Sequence, residues 1–228
     1  MAMDTDRLIE RLAGKADPVR RLAVPWIRTA MWFAIAAPYV ALVVVMMTPR
    51  GDLFAKLSDF RYLLEQAAAL STGIAAATAA FTSIVPGYDR RIVLLPLVPL
   101  SVWLASLAEG CIQTWMRAGA GGISLTSDFV CIPAIALVGA VPALAMAVML
   151  RKGAPLRPHI SAALGGLAAA GLGNFGLRLF HHQDASLMVL VWQMGTVFML
   201  TMLSGSAGRL FLNWRPLVAN VRHNLGVG

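Results

Sequence analysis

Six runs of this chain are long, apolar and nearly free of charge: residues 31–48, 66–88, 92–108, 129–150, 160–177 and 187–208. Each approaches or exceeds the ~17 residues that a helix needs to cross ~30 Å of hydrocarbon. In lipid the backbone N–H and C=O groups must be satisfied within the segment itself, so runs of this length are expected to be helices. Packing them into a soluble core is not an option. Of 228 residues 58% are hydrophobic and 13% charged, with a mean hydropathy of +0.72, more apolar surface than a soluble domain hides. The expected fold class is all-α, a polytopic membrane protein with six transmembrane helices. An even number of spans puts both termini on one side.

Lysine and arginine set the orientation. Residues 1–30, 89–91, 151–159 and the tail after 208 carry fourteen of the 19 basic residues, and 49–65, 109–128 and 178–186 carry five. The positive-inside rule then puts both termini in the cytoplasm and the second set outside. The formal charge of +8 is read in the same way, as basic cytoplasmic loops and not as a nucleic-acid surface. The expected organisation is a cytoplasmic segment 1–28, a six-helix transmembrane domain 29–208 with outer loops 49–65, 109–128 and 178–186, and a cytoplasmic tail 209–228.

The first segment mixes acids and bases (Asp4, Asp6, Arg7, Glu10, Arg11) and lacks an evident cleavage site, unlike a signal peptide. Asp4 or Thr5 can cap a helix on which Leu8, Ile9 and Leu12 share a face, and Gly14 can end it. Asp17-Pro18 suits the start of a second short helix, with Val19 and Leu22 opposite Arg20 and Arg21. A membrane-surface helix is one reading. The segment's charge of only +2 is weak for that role, and the other reading is a docking helix for a soluble partner.

Runs two and five are rich in Gly, Ala and Ser, and small residues four apart, such as Gly166 and Ala170, let helices approach closely. These two spans are expected at the centre of the bundle. Five of the six tryptophans, Trp26, Trp32, Trp103, Trp115 and Trp214, fall near expected membrane interfaces. Ionisable groups inside the spans are nearly absent, and Glu65 and Glu109 stand at span ends within reach of water, which disfavours a transporter. There is no inverted repeat, GxSxG, HExxH or phosphate loop, so no enzyme is expected.

The interval 109–128 is the longest between two runs, and it brings both cysteines of the chain, Cys111 and Cys131, to its ends with Gly119, Gly121 and Gly122 between them. Two thiols at the ends of a bendable outer loop suggest a sensor or a staple.

The short loops hold the most specific words: SIVPGYDRR (83–91), RKGAPLRP (151–158) and GRLFLNW (208–214), with PVRRLAVPWIR (18–28) before the first span. Together they resemble the NrsF family, the negative regulators of sigma F, six-span anti-sigma factors of the bacterial inner membrane. The resemblance implies that the chain holds an extracytoplasmic-function sigma factor at the membrane until an outside signal arrives, without binding nucleic acid itself. The N-terminal segment would dock the sigma factor through Leu8, Ile9, Leu12, Val19, Arg20, Arg21 and Leu22. In the family the last outer loop carries a His-Cys-Pro-like pattern. Here the matching positions are His181-His182-Gln183, which puts an imidazole where a thiol would stand, while Cys131 matches a family cysteine at the start of span four.

Cys111, Cys131, His181 and His182 are therefore the candidate sensing residues, and three readings stay open. The cysteines can be small apolar fillers beside a wet His-His turn. They can form a disulfide, which an outer compartment permits. Or some of the four can hold a soft or borderline metal ion as the signal, no resident cofactor being expected. The alternatives from other classes are a small-molecule transporter or channel subunit and a structural membrane protein.

Overall fold

The computed structural model describes residues 2–14, 22–85, 87, 89–118, 131–153, 157–180 and short stretches between 195 and 206. Among the described residues the chain is helical and contains no strand. The helices are α1 (Ala2–Gly14), α2 (Pro25–Met46), α3 (Leu53–Lys56), α4 (Phe60–Ser83), α5 (Leu97–Ala118), α6 (Cys131–Arg151) and α7 (Pro158–Phe180), with a 3-10 turn at Arg90–Leu94 before α5. Four of the helical segments are long and apolar enough to cross a membrane: Pro25–Met46, Arg91–Arg117, Pro133–Arg151 and Pro158–Phe180. α4 is equally long at 24 residues, but it is diluted by Ala, Ser and Thr and begins with Arg61 and Glu65. The sixth apolar run, 187–208, falls mostly outside the described residues.

Local sequence explains the helix starts. Pro25 occupies the first turn of α2, where its missing N–H costs nothing. Asp59 caps α4, its side chain accepting from Arg61 N at 3.0 Å. Asp89 caps the 3-10 turn in the same way through Arg91 N. Leu97–Ala118 runs ten residues further than the apolar run ending at 108. Glu109 does not stop it, because its carboxylate accepts from Gln113 one turn on while the side chain stays exposed. Cys111 consequently lies within a helix, where a loop was expected.

The centre of the bundle is the α4–α7 pair, as the small residues of runs two and five suggested. Gly73 and Gly171 bring the two backbones together. A Cβ on Gly171 would meet Gly73 N at 2.8 Å and Ala69 O at 2.9 Å. The closest approach thus falls at Gly171 and not at the Gly166/Ala170 spacing. Around it lie buried Ala76, Ala77, Ala80, Ala168 and Leu172. α5 packs on α4, α6 on α7, and α2 on both α6 and α4. Trp32 and Trp103, expected at interfaces, are both fully buried, whereas Trp26 and Trp115 are exposed.

α2 is tied to α6 by side chains that donate to backbone carbonyls. Arg28 Nη2 donates to Met149 O, Trp32 Nε1 to Pro142 O at 2.9 Å, and Tyr39 Oη to Leu137 O at 2.8 Å. Pairing the Trp32 indole N–H is what allows the ring to be buried.

Candidate functional site

α1 is the one long element for which no packing partner stands out among the described residues, the four-residue α3 being the other such element. Leu8 and Ile9 are 57% and 58% exposed, adjacent on one face, with Asp6, Arg7, Glu10 and Arg11 around the rest. An apolar stripe left open on a polar helix fits insertion into a groove. Leu22, also exposed, stands three residues before the start of α2. Val19, Arg20 and Arg21 lie outside the described residues.

The four sensing candidates are only partly placed. Cys111 lies in α5 and Cys131 is the first residue of α6. His181 and His182 follow α7 directly and lie outside the described residues. Among the described residues no cluster of three or more metal-ligating side chains occurs.

Sequence reasoning missed a buried charge cluster at the end of the bundle where α4 begins and α7 finishes. Glu65, expected at a wet span end, is only 5% exposed. Its Oε2 accepts from Arg178 Nη2 at 2.6 Å, and its Oε1 accepts from Arg61 Nε at 3.2 Å and from Ser106 Oγ at 3.4 Å. One carboxylate thus joins α4, α5 and α7. Arg61 Nη2 also donates to Ser106 O at 3.1 Å. The Arg178 guanidinium stands 5.5 Å from the centre of the Tyr62 ring, and Tyr62 Oη donates to the Arg178 carbonyl at 3.1 Å. Gln66 Nε2 reaches Phe175 O at 3.2 Å. A charge this deep persists only when paired and hydrogen-bonded, and both conditions hold here.

Gly110 makes room for the cluster. A Cβ there would fall 1.3 Å from Arg61 Nη2. The glycine is the immediate neighbour of Cys111, and Arg178 stands three residues before His181. Two of the sensing candidates thus adjoin, along the chain, residues that build the cluster. At the same end Arg50 donates to Asp52 with Nε and Nη2 at 2.6 and 2.7 Å, and its backbone N–H donates to Leu179 O at 3.1 Å, fixing the α2–α3 connection against α7. The Arg50 guanidinium holds the Asp52 carboxyl down at about 2.

A comparison with family models matches residues 12–214 to NrsF, described as negative regulator of sigma F. No curated protein and no solved structure matches the chain. The match takes in α2 through α7 together with the three loop words and the polar residues of the Glu65 cluster. With all but eleven residues at its start and fourteen at its end covered, the chain belongs to the NrsF family, the negative regulators of sigma F.

Proposed function

We propose that the chain is a multi-pass protein of the bacterial inner membrane that sequesters an extracytoplasmic-function sigma factor on its cytoplasmic N-terminal segment. It releases the sigma factor when Cys111, Cys131 and the His181-His182 pair meet an oxidant or a soft metal ion outside. The six-span topology with both termini inside rests on the basic asymmetry of the loops. The role is that of a binding protein and not of an enzyme. Beyond family membership, the observation that carries the reading is the exposed apolar face of Leu8 and Ile9 on α1. A helix of 13 residues is marginal alone in water, so a partner groove would supply much of its stability. Arg20 and Arg21 would then pair with acidic residues on the partner, affecting association rate more than affinity.

In this reading the Glu65 cluster would link signal to output. A covalent or coordination change at Cys111 would strain α5 beside Gly110, where Arg61 sits. Arg61 and Arg178 share Glu65, so the strain would pass to α4 and α7, on which α2 packs, and α2 follows the docking segment in the chain.

The test is binding of the purified chain to the extracytoplasmic-function sigma factors encoded in the same genome, each taken in turn. Replacing Leu8 and Leu12 with Ala should weaken it by about thirtyfold or more, equivalent to ~2 kcal/mol for a lost anchor. Unchanged binding, or full repression by a chain lacking residues 2–22, would move the interface elsewhere. For sensing, Cys111→Ser with Cys131→Ser should blunt the response to thiol oxidants, and His181→Ala with His182→Ala should matter only to a metal signal. A double cysteine variant that answers every inducer like the parent would leave the thiols structural.

A further inference from the structure

The end of the bundle opposite Glu65 carries a second feature that neither the docking segment nor the sensing residues use. A groove of about 920 Å³ runs between α2 and α6. Met31 and Ile35 form one wall, Val141, Leu144 and Val148 the other, and Arg28 and Lys152 stand at its mouth with Leu22 and Ala23. Arg28 is buried to 4% exposure, its guanidinium stacked 4.6 Å from the centre of the Phe81 ring and bonded through Nη2 to Met149 O. Its Nη1 is buried and has no hydrogen-bond partner among the described residues. Neither Arg28 nor Lys152 has a carboxylate partner there. A buried guanidinium with an unused donor, at the rim of an apolar channel, is complementary to an anion that carries a hydrocarbon tail.

The dimensions fit one such molecule. From Val141 to Lys152 the groove follows three turns of α6, about 16 Å at ~1.5 Å per residue. One leaflet of a bilayer is about 15 Å deep. The charges stand at one end of that length and the apolar residues fill the rest, as the headgroup and tail of a lipid do. The volume lies within the range of small-molecule sites, roughly 300–1,000 Å³.

We propose that this groove binds one anionic phospholipid, with its phosphate held by Arg28 and Lys152 and one acyl chain along Ile35, Leu144 and Val148. The lipid bridges the first turn of α2 and the last turn of α6. The proposal is independent of what the N-terminal segment binds and requires only that the bundle sits in a bilayer.

Native mass spectrometry of the full chain in detergent tests it. The chain is titrated with phosphatidylglycerol, with phosphatidylcholine of the same acyl chains, and with inorganic phosphate. A basic residue near an anionic headgroup contributes about fivefold in affinity, so two should favour phosphatidylglycerol by roughly thirtyfold. Lys152→Gln should remove about fivefold of that preference. Ile35→Trp, which fills the groove without touching a charge, should abolish the adduct while leaving the helical spectrum unchanged. Arg28→Gln should also lose the preference, and if that variant fails to fold the other two decide. Equal binding of the two lipids would overturn the proposal. So would competition by phosphate alone at the lipid's own concentration, or an adduct that survives Ile35→Trp. Absence of any adduct in the parent chain, as when another segment of the chain fills the groove, would overturn it too.

Discussion

Replacing Glu65 separates two accounts of the buried cluster. Glu65→Ala removes a carboxylate that accepts from Arg178, Arg61 and Ser106, and leaves the buried Arg178 guanidinium without its carboxylate. Losing one partner of a buried pair costs about 3–5 kcal/mol, because the survivor stays charged and desolvated. Neutral hydrogen bonds between membrane helices average only ~0.6 kcal/mol, and exposed ion pairs about 0–1. The pair is buried on both sides, with side-chain exposures of 10% for Arg178 and 7% for Glu65, so the larger figure applies. Arg178→Ala should cost less than Glu65→Ala, because Arg61 still pairs the carboxylate. The double variant should cost clearly less than the two single costs added, with a coupling of about 2 kcal/mol or more. The assay is reversible unfolding in mixed detergent micelles, followed by circular dichroism, for parent, both single variants and the double. Single costs below about 1 kcal/mol, or strict additivity, would refute the reasoning and mean that water reaches the carboxylate.

Gly171→Ala should destabilise by about 1–3 kcal/mol in the same unfolding assay, because its Cβ meets the α4 backbone, which cannot move aside like a side chain. Gly110→Ala should displace the Arg61 guanidinium and lower stability, and the loss should shrink in an Arg61→Ala background, which leaves the new methyl nothing to strike. For Asp52, pairing with Arg50 lowers the pKa from the ordinary 3.8 to about 2, so its contribution is present at neutral pH and disappears as pH falls through that window. Asp52→Asn should therefore lower the melting temperature at pH 7, and the gap to the parent should close between about pH 4 and pH 2. A constant gap across that range would show that the bond does not depend on the charge.

Much of the architecture can be read from composition. The first five apolar runs mark α2, α4, α5, α6 and α7, and the glycines and alanines of runs two and five put α4 and α7 at the centre. Boundaries are less legible. Charge at Glu109 marks a loop only if the charge faces water at a helix end, and here an i,i+4 bond to Gln113 carries the helix past it. Trp32 and Trp103 look like interface residues because an indole N–H needs a partner. A carbonyl on a neighbouring helix, invisible in the sequence, meets that need for Trp32. Glu65 reads as a solvated end group for a similar reason. Its burial depends on Arg178, 113 residues away, swinging in from an antiparallel neighbour. One clue was available: Arg61 and Glu65 are four apart at the head of one run, and Arg178 stands flush with the end of another. Two runs rich in small residues, ending in opposite charges at the same membrane face, are candidates for a bridge. Of the proposed docking face, the periodicity of Leu8, Ile9 and Leu12 is plain in the sequence, while the exposure of Leu8 and Ile9 needed the tertiary structure.

The way α2 is fastened to α6 limits how a signal can travel. The arginine, tryptophan and tyrosine that hold it are spread over three turns of α2, and each grips a main-chain oxygen of α6. Sliding α2 lengthwise by even one residue would carry all three donors off their acceptors at once, and the next acceptors along α6 are rotated by about 100°. The two helices are therefore indexed like a key in a keyway, and α2 cannot work as a piston that pushes the N-terminal segment in and out. Because the acceptors are backbone atoms, substitutions of α6 side chains should leave this lock in place. Any movement of α2 that keeps these three bonds must therefore carry α6 with it.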